Sequence, residues 1–192
     1  DVLWIGARTT VNPFAVQEIA EAIQGTEKIV LVKNPINPDL ELWVGAIERL
    51  HKMNVQNIGA IHRGFSSFRK SQYRNVPSWQ IPIDLKGRYP SLPIINDPSH
   101  ICGNRTGIFD VSQTALDLKM DGLIVETHCD PDNAWSDAKQ QIVPERLVEI
   151  MDDLKVRKPR FEREESLSNL NALRKEINAK DDQLIEILSE RM

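Results

Sequence analysis

Residues 28–64 read KIVLVKNPINPDLELWVGAIERLHKMNVQNIGAIHRG. An apolar run rich in branched residues occupies 29–32 and stops at Lys33-Asn34. From 40 to 53, apolar residues recur three or four apart. A second apolar run at 58–61 stops at His62-Arg63-Gly64. Short continuous apolar runs suit buried strands, and the three-to-four spacing between them suits an amphipathic helix. A strand–helix–strand unit of this kind indicates parallel pairing, with the helix packed over the sheet.

The pattern extends in both directions. Further apolar runs lie at 2–5, 93–95 and 123–125, the first read as a buried strand. Helical spacing recurs at 14–23, 111–120 and 144–154, and Pro144 suits a first helical turn. Residues 76–89 carry a less regular helical pattern. Each run delivers polar chemistry at its C-terminal end: Gly6-Ala7-Arg8, Lys33-Asn34, His62-Arg63-Gly64, Asp97-Pro98-Ser99-His100 and Glu126-Thr127-His128. A doubly wound sheet concentrates its chemistry at one switch point. Five successive loaded ends fit a barrel mouth better. The expected fold is therefore α/β, with residues 1–154 forming the C-terminal five βα units of a (β/α)8 TIM barrel and three further units preceding them. Residues 155–166, charged and containing Pro159, read as a linker. Residues 167–192 read as a long helix capped by Ser166 or Ser168 and free of Gly and Pro.

Composition narrows the function. A net charge of −4 at 192 residues gives no support to nucleic-acid binding. The apolar runs are too short to cross a bilayer. Two cysteines, Cys102 and Cys129, make no disulfide framework, so a cytoplasmic, reducing setting is expected.

Two constellations carry chemistry. Arg8, Lys33 and Arg63 each follow a buried run, and together they imply a focused positive site inside an acidic protein. Arginine forks and a lysine point charge suit a phosphate and a carboxylate held together. Alone, any one of them is most simply a partner for a neighbouring carboxylate. His100, Glu126 and Asp137 offer one nitrogen and two carboxylates, a set that suits a divalent ion of the manganese, iron, zinc or cobalt class with positions left open. A hydrogen-bonded strand-end histidine and a capping aspartate are the ordinary alternatives. His128 competes with His100, since Glu126 and His128 share a face if their strand persists, and His100 is preferred because it ends the strand before.

These motifs, in this order, closely resemble the type I DAHP synthases, best their β-group, which also contains the octulosonate 8-phosphate synthases. The resemblance rests on Ile5-Gly6-Ala7-Arg8-Thr9-Thr10, Leu31-Val32-Lys33, Arg63-Gly64, Asp97-Pro98-Ser99-His100, and Val125-Glu126-Thr127-His128 followed by Trp135-Ser136-Asp137. It implies condensation of phosphoenolpyruvate with erythrose 4-phosphate, the first step of the shikimate pathway and of aromatic amino acid biosynthesis. By the same resemblance Ala7 (through its backbone), Arg8, Lys33 and Arg63 hold phosphoenolpyruvate. His100, Glu126 and Asp137 are three of four metal ligands, and Lys33 and His100 are the catalytic pair. The family's ligand cysteine and its Lys-Pro-Arg-Thr segment have no counterpart in this sequence, so the chain is expected to be incomplete as an enzyme by itself.

In the tail, Arg174, Ile177, Asp181, Leu184, Leu188 and Arg191 are spaced three and four apart. That is a coiled-coil-like seam, and an amphipathic dimer helix is its plain reading. Leu173-Arg174 and Glu190-Arg191 resemble the first helix of the all-helical (AroQ-type) chorismate mutases, in which both arginines bind substrate carboxylates. Seventeen residues at about 1.5 Å each separate them by roughly 25 Å, so each site combines two chains. The resemblance thus implies a bifunctional parent converting chorismate to prephenate, and at least a homodimer. An octulosonate 8-phosphate synthase-like enzyme, a Schiff-base aldolase using Lys33, and a non-catalytic structural fragment are the other readings.

Overall fold

The computed structural model describes residues 1–157 and 164–190, with side chains described at 1–157 and 170–189. It divides into two units, Asp1–Val156 and Arg157–Met192. In the first, β1 (Val2–Ile5) leads through a single-turn α1 (Ala7–Thr10) to α2 (Pro13–Ile23), β2 (Ile29–Lys33), α3 (Leu40–Lys52) and β3 (Ile58–His62). Then come α4 (Gln80–Arg88), β4 (Ile94–Asn96), α5 (Pro98–Cys102), α6 (Ile108–Asp117), β5 (Gly122–Leu123) and α7 (Pro144–Asp153).

The five strands form one sheet in the order β1-β2-β3-β4-β5, parallel throughout. Each new strand is laid beside the last with no reversal of order, and a switch point needs a reversal. All strand C-termini therefore lie along one rim. The helix starts are built from local chemistry. The Asn12 side chain accepts from the backbone N–H of Phe14 and Ala15, Asp39 accepts from Leu42, and Asp97 accepts from His100. Proline follows Asn12 and Asp97 at the first helical position.

The main core lies between sheet and helices. Val30, Val32, Ala60 and Ile94 from the strands meet Val16 and Ala20 of α2 and Trp43, Ala46, Ile47 and Leu50 of α3. The fully buried Trp43 indole donates to the Val32 carbonyl at 3.0 Å, so the largest core side chain keeps its one polar atom satisfied. Ile108, Ile142 and Ile150 form a smaller cluster under α7.

Several expectations change. The run at 2–5 is not a buried strand. Val2, Leu3 and Trp4 are exposed and only Ile5 is buried, because β1 is an edge with one ladder partner. Strand β5 stops at Leu123, so Glu126 lies three residues beyond it, on an extended segment tied by its own N–H to Ser99 Oγ at 3.0 Å. The irregular helix expected at 76–89 is confined to Gln80–Arg88, since Val76 pairs with Phe65 in an isolated antiparallel bridge. In the second unit α8 spans Glu164–Glu190. It begins ahead of Ser166 and Ser168, so neither caps it, and it takes in the end of the expected linker. Arg174, Ile177, Asp181, Leu184 and Leu188 lie on it and are exposed; Arg191 lies outside the described residues.

His62 reports on the packing at the rim. It is fully buried, and burial pulls it down to about 4, against the opposing influence of its bond to Pro77 and of nearby Asp97; Arg63 adds to the lowering. Nε2 sits 2.7 Å from the Pro77 carbonyl and must carry the hydrogen, leaving Nδ1 to accept from Asn96 at 3.0 Å. The unfolded state, titrating near 6.5, then binds more protons than the native state between pH 6.5 and 4. Stability falls as pH drops through that window, by about 3 kcal/mol at its lower end. Urea denaturation of wild type and His62→Gln at pH 7 and pH 4 should show this extra acid sensitivity in wild type alone.

Candidate active site

The rim residues converge. Trp4, Ala7, Arg8, Lys33, Arg63 and His100 line one cleft of about 470 Å³, together with Arg74, Asn75 and Asp137. The three cations predicted from strand ends thus share a cavity. A slightly larger cleft of about 510 Å³, walled by Ile47, Tyr89 and Leu92, holds none of these residues and lies apart from this rim chemistry.

Arg63 is the central cation. Its backbone N–H donates to Asn34 Oδ1 at 2.7 Å and its Nη1 to Asn75 Oδ1 at 2.9 Å. Burial draws the guanidinium below its usual range; Asp97 counters this, while Arg74 and Arg8 add to it. An incoming dianion would relieve that crowding of positive charge. Lys33 follows the buried Val32 into the cleft, and its ammonium lies 3.6 Å from Asp97 Oδ2. Arg8, on α1, is exposed.

Asp97 was not anticipated from the sequence beyond its motif, yet it joins both constellations. One carboxylate oxygen caps α5; the other faces Lys33 and lies 2.9 Å from His100 Nδ1. That close approach is not aligned as a hydrogen bond, and His100 Nδ1 is buried without a hydrogen-bond partner. Asp97→Asn keeps the cap but leaves Lys33 without its counter-charge, and should lower stability by about 1–3 kcal/mol and slow turnover; thermal melting and steady-state rates would measure both.

His100, Glu126 and Asp137 each offer one ligand atom, all within 4.8 Å of one another. An orphaned buried imidazole nitrogen and two carboxylates fit a divalent cation, with too few protein ligands to close its shell. His128 is elsewhere, its Nδ1 accepting from the Asp130 N–H at 2.9 Å in a different cleft beside Trp135. The strand ends before these residues, so the shared-face argument for His128 lapses. Cys102 is buried, and burial pushes its thiol up to about 11, making it a poor ligand; Cys129 is exposed.

Three more residues escaped the sequence reading: Arg74 and Asn75, because the segment from 65 to 75 has no regular periodicity, and Gln140, which lies in the irregular stretch ahead of α7. Arg74-Asn75 forms a strap across the rim. The Asn75 side chain donates to the His100 carbonyl at 2.7 Å while accepting from Arg63, so one amide positions both the cation and the histidine. The strap is seated on two glycines with positive φ. A Cβ at Gly64 would lie 2.6 Å from the Asn75 carbonyl oxygen, and one at Gly103 2.4 Å from Arg74 Cβ. Gly64→Ala should therefore cost about 2–4 kcal/mol, from left-handed strain plus the displaced strap, with a matching loss in affinity for the anion. Calorimetric melting and isothermal titration check the two effects separately. The third residue, Gln140, is buried and links Arg74 to Glu126.

Among the described residues no helix is long and apolar enough to cross a membrane. A family model described as the DAHP synthetase I family matches residues 1–160. A phospho-2-dehydro-3-deoxyheptonate aldolase of Thermotoga maritima is 30% identical over 155 residues, covering 81% of this chain and 44% of the relative. The solved structure of a truncated 3-deoxy-D-arabino-heptulosonate 7-phosphate synthase from Thermotoga maritima aligns with a TM-score of 0.71 at 28% identity, over 80% of this chain and 56% of that one. A crystal structure of the Thermotoga maritima phospho-2-dehydro-3-deoxyheptonate aldolase gives the same TM-score and identity, with 44% of its chain covered. The chain spans about half the length of the relatives it matches.

Proposed function

Since the chain belongs to the DAHP synthetase I family, we propose that the protein condenses phosphoenolpyruvate with erythrose 4-phosphate and releases phosphate, in a barrel of which these five βα units form part. The single observation that carries this reading is the cleft in which Arg8, Lys33 and Arg63 face His100 and Asp137. An anion-holding half and a cation-holding half share one mouth there.

In this reading Arg63 and Arg8, with the Ala7 backbone, grip the phosphate and carboxylate of phosphoenolpyruvate, and Lys33 supplies a point charge beside them. Fixing that substrate aims its methylene carbon at the aldehyde, which removes much of the entropic barrier. His100, Glu126 and Asp137 would hold a divalent cation of the manganese, iron, zinc or cobalt class, which supplies Lewis-acid polarisation of the aldehyde when bound. Lys33 faces a carboxylate rather than standing as a free amine, which favours this role over that of a Schiff-base nucleophile. Trp4 adds apolar surface to the lining of the cleft.

For the tail, the proposal is that α8 begins an all-helical chorismate mutase whose substrate carboxylates meet Arg174 and Arg191, in a dimer. The exposed apolar residues Ile177, Leu184 and Leu188, in register with Arg174, support it. The test of the main reading is turnover. Incubation with both substrates should release phosphate and form the seven-carbon product, and a chelator should stop it. Chelator-insensitive turnover, or borohydride trapping of a carbonyl substrate on Lys33, would replace this reading with the Schiff-base one.

A further inference from the structure

Arg74 occupies the seam between the two halves of the cleft. Its Nη1 donates at 2.7 Å to Asp137 Oδ1 and at 2.7 Å to Gln140 Oε1. Gln140 spends its other end donating to Glu126 Oε2 at 2.8 Å. One guanidinium thus engages one carboxylate of the cation triad directly and the other through a buried amide. The same guanidinium lies close enough to Arg63 to perturb it, and it lines the cleft beside Arg8 and Lys33. Its stem lies over Gly103, where any side chain would collide with it, so the placement is built into the backbone. Asp137 reaches it from a backbone with φ of 49°, a conformation that an aspartate adopts at some cost.

We propose that Arg74 is a shared positioning residue that couples the two halves: it neutralises Asp137 when no cation is bound, and turns to the anion in the cleft when a cation takes Asp137 over. The idea rests on the metal reading given above and adds to it a competition. A divalent cation held by Asp137 would sit beside the Arg74 guanidinium on the same carboxylate, and repulsion between the two positive charges favours displacement of Arg74. The released guanidinium is then a fourth positive group for the anion. By linkage, the anion favours the displaced state and so tightens the cation by the same factor. Gln140 gives the exchange its geometry, keeping Glu126 in place while Arg74 leaves.

This predicts effects of opposite sign from one substitution, which loss of structure cannot produce. In the protein bearing Arg74→Gln, Mn²⁺ alone should bind more tightly than in wild type, by about 5-fold or more, because its competitor is gone. Phosphoenolpyruvate should bind more weakly, and the tightening of Mn²⁺ by phosphoenolpyruvate should shrink. Mn²⁺ binding is read from the loss of the free-ion electron paramagnetic resonance signal, and phosphoenolpyruvate binding from calorimetry. Arg74→Lys, which keeps the charge, should restore part of the coupling. Weaker binding of both ligands, or no change in either, would overturn the coupling while leaving the metal reading intact. Failure of wild type to bind Mn²⁺ at all would overturn the metal reading and the coupling with it.

Discussion

Alanine at His100, Glu126 or Asp137 is expected to cut condensation by about 10³-fold or more, since a cation that polarises the aldehyde contributes several kcal/mol to the barrier. An open site has few ligands to spare, so each loss should also weaken Mn²⁺ binding. The three variants should differ in what they leave behind. Glu126→Ala strands the buried Nε2 donor of Gln140, and Asp137→Ala frees Arg74 from its carboxylate. His100→Ala leaves Asp97 facing Lys33 alone. Glu126→Ala should therefore be the least stable of the set, with a lowered melting temperature alongside lost metal binding. Normal turnover by any of the three in chelator-treated protein would end the metal assignment.

The second large effect is at Arg63. Its guanidinium is drawn into the cleft by Asn75 and crowded by Arg8 and Arg74, so truncation removes the cation best placed for a dianion. Loss of a partner from a desolvated charge-assisted contact costs about 2–5 kcal/mol. Arg63→Ala should thus raise the KM for phosphoenolpyruvate by about 10²-fold and lower kcat as well, because a misplaced methylene carbon no longer meets the aldehyde. Arg63→Lys should recover little, since a point charge cannot replace the fork that also holds Asn75. The exposed Arg8 is the internal comparison: Arg8→Ala should change KM by about tenfold. Equal effects at the two positions would mean that burial does not set their contributions.

Much of this was legible in the chain before folding. Alternating apolar runs and helical spacings produced the five parallel units, because strand and helix periods are local properties of a few consecutive residues. The load at each strand end placed Arg8, Lys33, Arg63 and His100 on one rim, since parallel strands share a direction. Glu126 and Asp137 came from the donor set expected of a cation site, with His128 left as a rival. His100 is preferred to His128 from the sequence because it ends the preceding strand; the structure adds that β5 ends at Leu123 and that His128 lies in another cleft.

The rest depended on contacts that no local pattern encodes. Arg74 and Asp137 are 63 residues apart, and Arg74 and Gln140 are 66 apart. Arg74-Asn75 lies in an aperiodic loop, and its importance comes from lying over Gly64 and Gly103 between two strand ends. The exposure of Trp4 likewise follows from the position of β1 at the sheet edge, which its apolar composition cannot reveal. The sequence by itself determined that Arg8, Lys33, Arg63 and His100 arrive at the mouth, because each follows one strand end. The tertiary structure alone decided which of them touch, because a buried amide or guanidinium must find its partners wherever the packed backbone brings them.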